Sequence, residues 1–269
     1  MRANWRKYNG AIIPLHPPHI EVKESSIKIQ EIVKESNVLF ARWISHFDCK
    51  NQLNFWYVIH DTPMEMNDYS TNTRNQIKRG LKNFQIKIID KSIIEQEGYD
   101  IYTSALRQQN TFWKLKGKEA FIKDLEGEWE FWGIYFEASL IGYSQNKFTN
   151  DCCDYSTIKI DPIYKKRYPS YALFYLMNKY YLNEMKLKYV TDGARSLAHS
   201  SNIQEFLIQK FKFRKAFCFL HIVYHTRLNI LINLLFPFRN IFSKVNVKFF
   251  RKISVLLKHE EIIRKQIDG

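Results

Sequence analysis

The sequence has few of the residues that interrupt regular structure, with nine Gly and seven Pro among 269 residues. Collagen-like and low-complexity chains contain far more of both residues, so these classes are excluded. We find no internal repeat at the periods of solenoid proteins. Hydrophobic residues make up 45% of the chain and aromatic residues 16%. This composition predicts a globular protein with a substantial buried core.

Cysteine is also scarce, and the spacing of the four residues excludes a Cys-x-x-Cys pair. Cys152 and Cys153 are adjacent, which makes them poor partners for one another. A disulfide framework and a cysteine-rich zinc site are therefore not expected. Reduced thiols predict a cytoplasmic protein. No basic group lies near enough in sequence to activate either thiol, so we do not expect a cysteine nucleophile.

Long apolar runs are missing as well. The most apolar stretch, Leu228–Phe238, contains two Asn and one Pro. It is shorter than the about 20 residues that a membrane-spanning helix needs. Met1–Gly10 carries three basic residues, but no run typical of a signal peptide follows it.

Positive charge is abundant, since 41 Lys and Arg outnumber 27 Asp and Glu to give a net charge of +14. This excess favours an anionic partner such as nucleic acid, a phospholipid surface or a phosphorylated ligand. Plain solubility is the alternative. The histidine pairs His16 with His19 and His221 with His225 are better explained by a surface turn and by a strand than by a metal site, so we expect no metal.

The residue pattern predicts an irregular segment over 1–24, a helix capped by Ser25 or Ser26, strands over 38–47 and 54–60, and a basic helix over 70–84. From residue 85 the predicted order is β, α, α, β, β, β, α, β, α, β. A hairpin-built sheet followed by strand-helix-strand units indicates an α/β or α+β class.

Three local stretches resemble the GNAT (Gcn5-related N-acetyltransferase) superfamily: Gly133–Tyr143, Ile160–Leu173 and Asn202–Phe213. They look like the family's central hairpin, its cofactor loop with the following helix, and a later helix. The resemblance implies a mixed, mainly antiparallel sheet flanked by helices over residues 85–226. Residues 1–84 would then be an N-terminal segment with a truncated GNAT-like part, and residues 227–269 a basic amphipathic tail.

The resemblance also implies acetyl-CoA or another acyl-CoA as the donor. A loop that enters a helix N-terminus suits a pyrophosphate, because it offers unpaired N–H groups. By alignment the pantetheine arm falls on Ile158, Lys159 and Ile160, the pyrophosphate falls on Lys165, Lys166, Arg167, Tyr168 and Ser170, and the later helix begins at Asn202.

The loop departs from the family's pattern where Tyr168 and Ser170 replace Gly. Gly lets a backbone approach a phosphate closely, and Pro169 has no N–H to donate. We therefore expect weak CoA binding, helped by the preceding cations. The basic stretch Arg74–Ile86 is similar to the helix before the second GNAT domain of Fem-type aminoacyltransferases, which use aminoacyl-tRNA to modify cell-wall precursors. That resemblance implies aminoacyl-tRNA as the alternative donor.

The densest polar stretch follows the predicted short strand Lys188–Thr191. We expect Asp192 to emerge at the end of this strand as the catalytic carboxylate, held ionised by Arg195, with His199 as the alternative base. An ordinary polar loop with helix caps would contain the same residue types. Asp151 and Asp154 could orient an amine, but strand termination explains them more simply.

The tail after Leu228 mixes basic and apolar residues, which favours a helix in the interface of an anionic membrane; a helix docked on the domain is the alternative. The sequence thus predicts an N-acyltransferase that acts on an amine of a sugar or of a lipid-linked cell-envelope precursor. It would be cytoplasmic and peripheral at the membrane. A catalytically inactive binding module with the same fold is the hypothesis from another class.

Overall fold

The computed structural model describes residues 4–8, 10–108, 115–149, 151–197, 202–244 and 248–267. Contacts divide the chain into two compact units. Unit 1 consists of residues 1–57, 194–201 and 215–269, and unit 2 consists of residues 58–193 and 202–214. The predicted boundaries at residues 84 and 226 do not coincide with this division, because 58–84 group with unit 2 and the predicted tail groups with residues 1–57.

The strands are β1 (Trp5–Tyr8), β2 (Ala11–Pro14), β3 (Phe40–Cys49), β4 (Trp56–His60), β5 (Gln85–Ile89), β6 (Glu130–Phe136), β7 (Ser139–Phe148), β8 (Cys152–Ile160), β9 (Tyr189–Ala194) and β10 (Arg214–Tyr224). The helices are α1 (Ser26–Glu35), α2 (Thr71–Asn83), α3 (Lys91–Gln108), α4 (Lys118–Asp124), α5 (Pro169–Asn178), α6 (Asn202–Phe211), α7 (Thr226–Leu235), α8 (Arg239–Lys244) and α9 (Lys248–Ile267). In the part of the chain that the structure describes, no helix is long and apolar enough to cross a membrane.

Unit 1 contains the strand order β1-β2-β3-β10. β1 and β2 form an antiparallel hairpin around Gly10, whose φ of +83° suits a residue without a side chain. The expectation of an irregular segment over 1–24 was therefore wrong for this hairpin. Each of its strands has four residues, which is too short to show a period-2 pattern. Trp5 and Ile12 pack with Ile29 of α1 in a buried cluster.

The predicted tail contributes to the core of unit 1. Ile232 of α7 and Leu257 of α9 pack with Tyr224 in one buried cluster. Ile262 of α9 is buried in a second cluster that includes Phe55. The alternative of a docked C-terminal helix thus describes α9 and one face of α7.

Unit 2 contains the strand order β4-β9-β8-β7-β6-β5. β5 to β8 pair in antiparallel fashion, whereas β8 and β9 run parallel. Helices α3 and α4 cover one buried cluster of the sheet through Ile94, Ile101 and Phe121. The predicted class, a mixed and mainly antiparallel sheet flanked by helices, is confirmed.

Gly80 lets α2 approach α5 closely. A Cβ atom at this position would lie 2.5 Å from the carbonyl oxygen of Tyr168 and 2.9 Å from Cβ of Ala172. We expect Gly80→Ala to destabilise unit 2 by about 1–3 kcal/mol, because the backbone has to shift. Urea unfolding would measure the change. Gly117→Ala is the matched control, since nothing lies within 4 Å of its added Cβ; an equal loss in both variants would refute the packing argument.

Candidate functional site

β8 and β9 separate after a short paired stretch. Their register joins Cys152 to Tyr189, Cys153 to Val190 and Asp154 to Thr191, and pairing ends there. β8 continues to Ile160 along β7 alone. The backbone on the other side of residues 155–160 therefore has no strand partner within the described sheet. This unpaired edge lies beside Ile158–Ile160, where the resemblance places the pantetheine arm, and the divergence of the two strands forms a cleft in the sheet.

Two carboxylates lie where the strands part. Burial and the nearby charge of Asp154 raise the pKa of Asp192 to about 7, while a hydrogen bond from the Gln204 side chain on α6 opposes this rise. Asp154 is the last residue of β8 that pairs with β9. An acid with a pKa near the operating pH is well suited to accept a proton. Strand termination, the simpler explanation for Asp154, is wrong, because Asp154 lies inside β8.

The prediction for the environment of Asp192 was wrong in two respects. β9 extends to Ala194, so Asp192 is a strand residue and does not emerge into a loop. Its pKa is raised, whereas pairing with Arg195 was expected to lower it. Gly193 does adopt a left-handed φ of +83°, and its N–H donates to Oγ1 of Thr191 at 2.9 Å. The turn is thus accommodated within the strand.

The guanidinium of Arg195 contacts other groups of unit 1. Its Nη1 donates to the carbonyl oxygen of Asn54 at 2.6 Å, and its guanidinium lies 4.3 Å from the ring centroid of Trp56. It also lines a cavity of about 380 Å³ in unit 1. The other residues lining this cavity are Asn54, Ser196, Leu197, Lys258, Glu261, Ile262 and Lys265. The predicted role of Arg195 beside Asp192 is not supported by these contacts.

The predicted cofactor loop is a 3₁₀ turn over Pro162–Arg167, followed by Tyr168 in the left-handed conformation with φ 67° and ψ 37°. Gly adopts this conformation without cost, whereas another L-residue loses about 1–2 kcal/mol. Tyr168 therefore keeps a backbone shape that Gly would favour. The N–H groups of Tyr168, Tyr171 and Ala172 donate to carbonyl oxygens within the turn, and Pro169 has none to offer.

Few backbone donors are thus left for a pyrophosphate, and the loop fits that group poorly through its main chain. Its cations are better placed, since Lys165, Lys166 and Arg167 are all exposed. Arg167 also lies 4.8 Å from the ring centroid of Phe136. Ser170 is partly buried in the first turn of α5.

The remaining predicted contacts lie on β8 and α6. Ile158, Lys159 and Ile160 are partly buried at the end of β8, and Asn202 is exposed at the start of α6. Burial lowers the pKa of the Lys159 ammonium. No described residue forms an ion pair or hydrogen bond with this side chain. His199, the alternative base, lies outside the described residues.

A buried polar network that the sequence did not reveal supports the sheet beneath the site. The hydroxyl of Tyr181, in a π-helical turn after α5, donates to Glu130. It accepts from Nε1 of Trp132 and Nδ2 of Asn146, both at 3.1 Å. In sequence these residues look like ordinary strand and helix positions. Such a satisfied network fixes side-chain positions in a core.

The cysteines and histidines for which no functional role was expected take part in structural contacts. Burial raises the pKa of both Cys152 and Cys153, so neither thiol is activated. His221 stacks on Trp43 at 5.3 Å and lies 2.7 Å from Oγ of Ser45. Within the described ranges, no three His, Cys, Asp or Glu side chains are grouped so as to hold a metal ion.

No protein-family model matches the sequence, and no curated protein is significantly similar to it. Solved structures do match. The C-terminal (DUF2156) domain of a putative lysylphosphatidylglycerol synthetase from Agrobacterium fabrum matches with a TM-score of 0.55 and 12% identity, over 86% of this chain and 82% of that one. FemX matches with a TM-score of 0.56 and 8% identity, over 86% and 85% of the two chains.

A third structure, L-PGS from Bacillus licheniformis, has a TM-score of 0.53 at 10% identity and is covered over 83% of its length by 86% of this chain. The chain has the fold of the GNAT superfamily. At such low identity the likeness shows the GNAT fold alone. The fold predicted from the three local stretches of sequence is thus confirmed, and the similarity extends beyond residues 85–226 to most of the chain.

Proposed function

We propose that this GNAT-fold protein is an acyltransferase, and that unit 2 transfers an acyl group to an amine. The observation that carries the proposal is the Asp192–Asp154 pair at the point where β8 and β9 part. Amine acylation needs a proton acceptor that is partly ionised near neutral pH, next to an opening that admits two substrates. The acceptor class is the amine of a sugar or of a cell-envelope precursor.

In the proposed reaction, Asp192 takes one proton from the acceptor ammonium. The nitrogen lone pair then forms a bond to the acyl carbonyl carbon, and the bond from that carbon to the donor's sulfur or oxygen breaks. The leaving atom carries away the electron pair and takes the second proton, which the nitrogen loses as the amide forms. Burial and the charge of Asp154 together keep Asp192 basic, because both disfavour its ionisation. The unpaired backbone beside residues 155–160 can hold an extended donor by strand-like hydrogen bonds.

Acyl-CoA is the donor that the GNAT resemblance implies. The loop before α5, however, offers a pyrophosphate side-chain cations more readily than backbone N–H groups. The same observation favours a second candidate, a charged tRNA. α2 presents Lys78, Arg79 and Lys82 to solvent beside the exposed cations of the loop, and Nδ2 of Asn83 donates to the Arg167 carbonyl at 3.4 Å. Clustered exposed cations suit a nucleic-acid backbone.

Calorimetric titration of the full chain with CoA tests the donor. We expect weak binding, and we expect Lys165→Gln combined with Lys166→Gln to weaken it by about tenfold, since charge-assisted contacts are lost. Lys123→Gln combined with Lys186→Gln is the charge-matched control at exposed positions of unit 2. Absence of binding at millimolar CoA in folded protein would exclude acyl-CoA. Filter binding of charged tRNA would then test the second donor.

A further inference from the structure

α7, the 3₁₀ turn Phe236–Phe238 and α8 present an apolar stripe to solvent. The exposed fractions of its large side chains are 66% for Ile230, 43% for Leu231, 67% for Leu234, 53% for Phe238 and 62% for Ile241. Single exposed apolar residues are common on protein surfaces, but a contiguous group of this kind marks an interaction site.

The spacing places these side chains on one face. Positions 230, 234, 238 and 241 recur at helical intervals. The backbone keeps right-handed helical dihedrals at Leu235, Phe236 and Arg239, so the face continues through the 3₁₀ turn. Ile232 points into the core of unit 1 together with Leu228 and Leu235. The stripe is therefore the side of this helical segment that core packing does not use.

The charge around the stripe is mainly positive. Residues 226–267 contain nine Lys or Arg against two Glu, which are Glu260 and Glu261. Arg227, at the start of α7, is exposed. Two copies that met through their stripes would bring two of these basic segments together, which like-charge repulsion opposes. A surface that is negatively charged and apolar beneath its headgroups satisfies both features.

We propose that α7 and α8 bind an anionic phospholipid surface, with the stripe inserted at the boundary between headgroups and acyl chains and exposed cations such as Arg227 beside the headgroups. The helices then lie in the plane of the interface. The basis is the exposed stripe and the charge of unit 1, so this proposal does not depend on the acyltransferase reaction.

Flotation of the full-length protein with vesicles tests the idea. Vesicles of phosphatidylcholine with added phosphatidylglycerol are compared with phosphatidylcholine alone. We expect binding to the anionic vesicles only, and we expect Ile230→Ser combined with Leu234→Ser to lower the partition coefficient by about tenfold or more. Ile27→Ser is the control, because Ile27 is 77% exposed on α1, away from the stripe in sequence. It should bind as the unaltered protein does.

Circular dichroism would verify that the variants are folded. Binding that survives the double substitution but disappears with salt would overturn the proposal, because charge alone would then explain it. The proposal would also be overturned if the unaltered protein is a dimer in solution and the variant with Ile230→Ser and Leu234→Ser is a monomer. A second copy would then be the occupant of the stripe.

Discussion

Asp192→Asn is expected to lower turnover by about 10²–10⁴-fold, the usual cost of losing a general base. Asn has nearly the same shape and keeps an oxygen that can accept the hydrogen bond from Gln204, but it cannot take a proton. We therefore expect the fold to be retained. Turnover would be measured with the donor that binds in titration and with amine acceptors, beside the thermal midpoint.

The direction of the pH effect separates a base from a structural residue. In the folded protein the pKa of Asp192 is raised to about 7, above its ordinary value. The folded state therefore binds this proton more tightly than the unfolded state. Its contribution to stability is largest at acidic pH and is lost as the pH rises through about 7. Asp192→Asn should not lower the thermal midpoint above that pH, and turnover of the unaltered protein should rise across it.

Asp154→Asn provides the companion measurement, because removing the neighbouring charge should lower the pKa of Asp192. Carboxyl ¹³C NMR titration would report this shift without an assay of activity. Asp151→Asn is the control, since Asp151 forms an exposed ion pair with Lys188 at 2.8 Å. If Asp192→Asn keeps near-normal turnover while stability falls, Asp192 is structural. If the unaltered protein itself turns over no donor, the hypothesis of an inactive binding module gains support.

Removal of residues 229–269 is expected to abolish cooperative folding of unit 1. The deletion takes Ile232, Leu257 and Ile262 out of buried clusters and exposes Tyr224 and Phe55 to water. A single substitution gives the scale: Leu257→Ala should cost about 2–5 kcal/mol, because Leu257 is 1% exposed and the core cannot fully collapse around the cavity. Urea unfolding monitored by tryptophan fluorescence would measure this loss of stability.

Leu234→Ala is the matched control for Leu257→Ala, since it makes the same change at a side chain that is 67% exposed. We expect a change within about 0.5 kcal/mol for this surface position. Comparable losses for both variants would contradict the assignment of α9 to the core. A deletion variant that folds normally would do so as well, and would restore the view of residues 227–269 as a free tail.

Most elements could be predicted from sequence because their signals are local. Ser25 accepts a hydrogen bond from the first turn of α1, as predicted, and Ser70 does the same for α2 at the predicted start of the basic helix. The end of β8 at Asp161-Pro162 followed from the missing N–H of proline. The cleft was predictable through the resemblance, since it depends on the order of strands and helices.

The chemistry of the site was not predictable, because it depends on residues that are distant in sequence. Asp154 and Asp192 are 38 positions apart, and only the parallel pairing of β8 with β9 brings them together. A sequence pattern suggested Arg195 as the partner because it is three residues away, but the pKa of Asp192 depends on burial and on the other strand. Likewise, the composition of the tail could not show which of its faces is buried.

The separation of β8 from β9 also leaves an open sheet edge within the molecule. An open edge is a template for any extended chain, whether the arm of a donor or a strand of a second molecule. Lys159 stands on this edge with a partly buried ammonium group, and a charge in that position discourages the addition of an apolar strand. The cleft that admits a substrate is thus also the place where this sheet has to resist aggregation, and occupancy by a ligand would protect it.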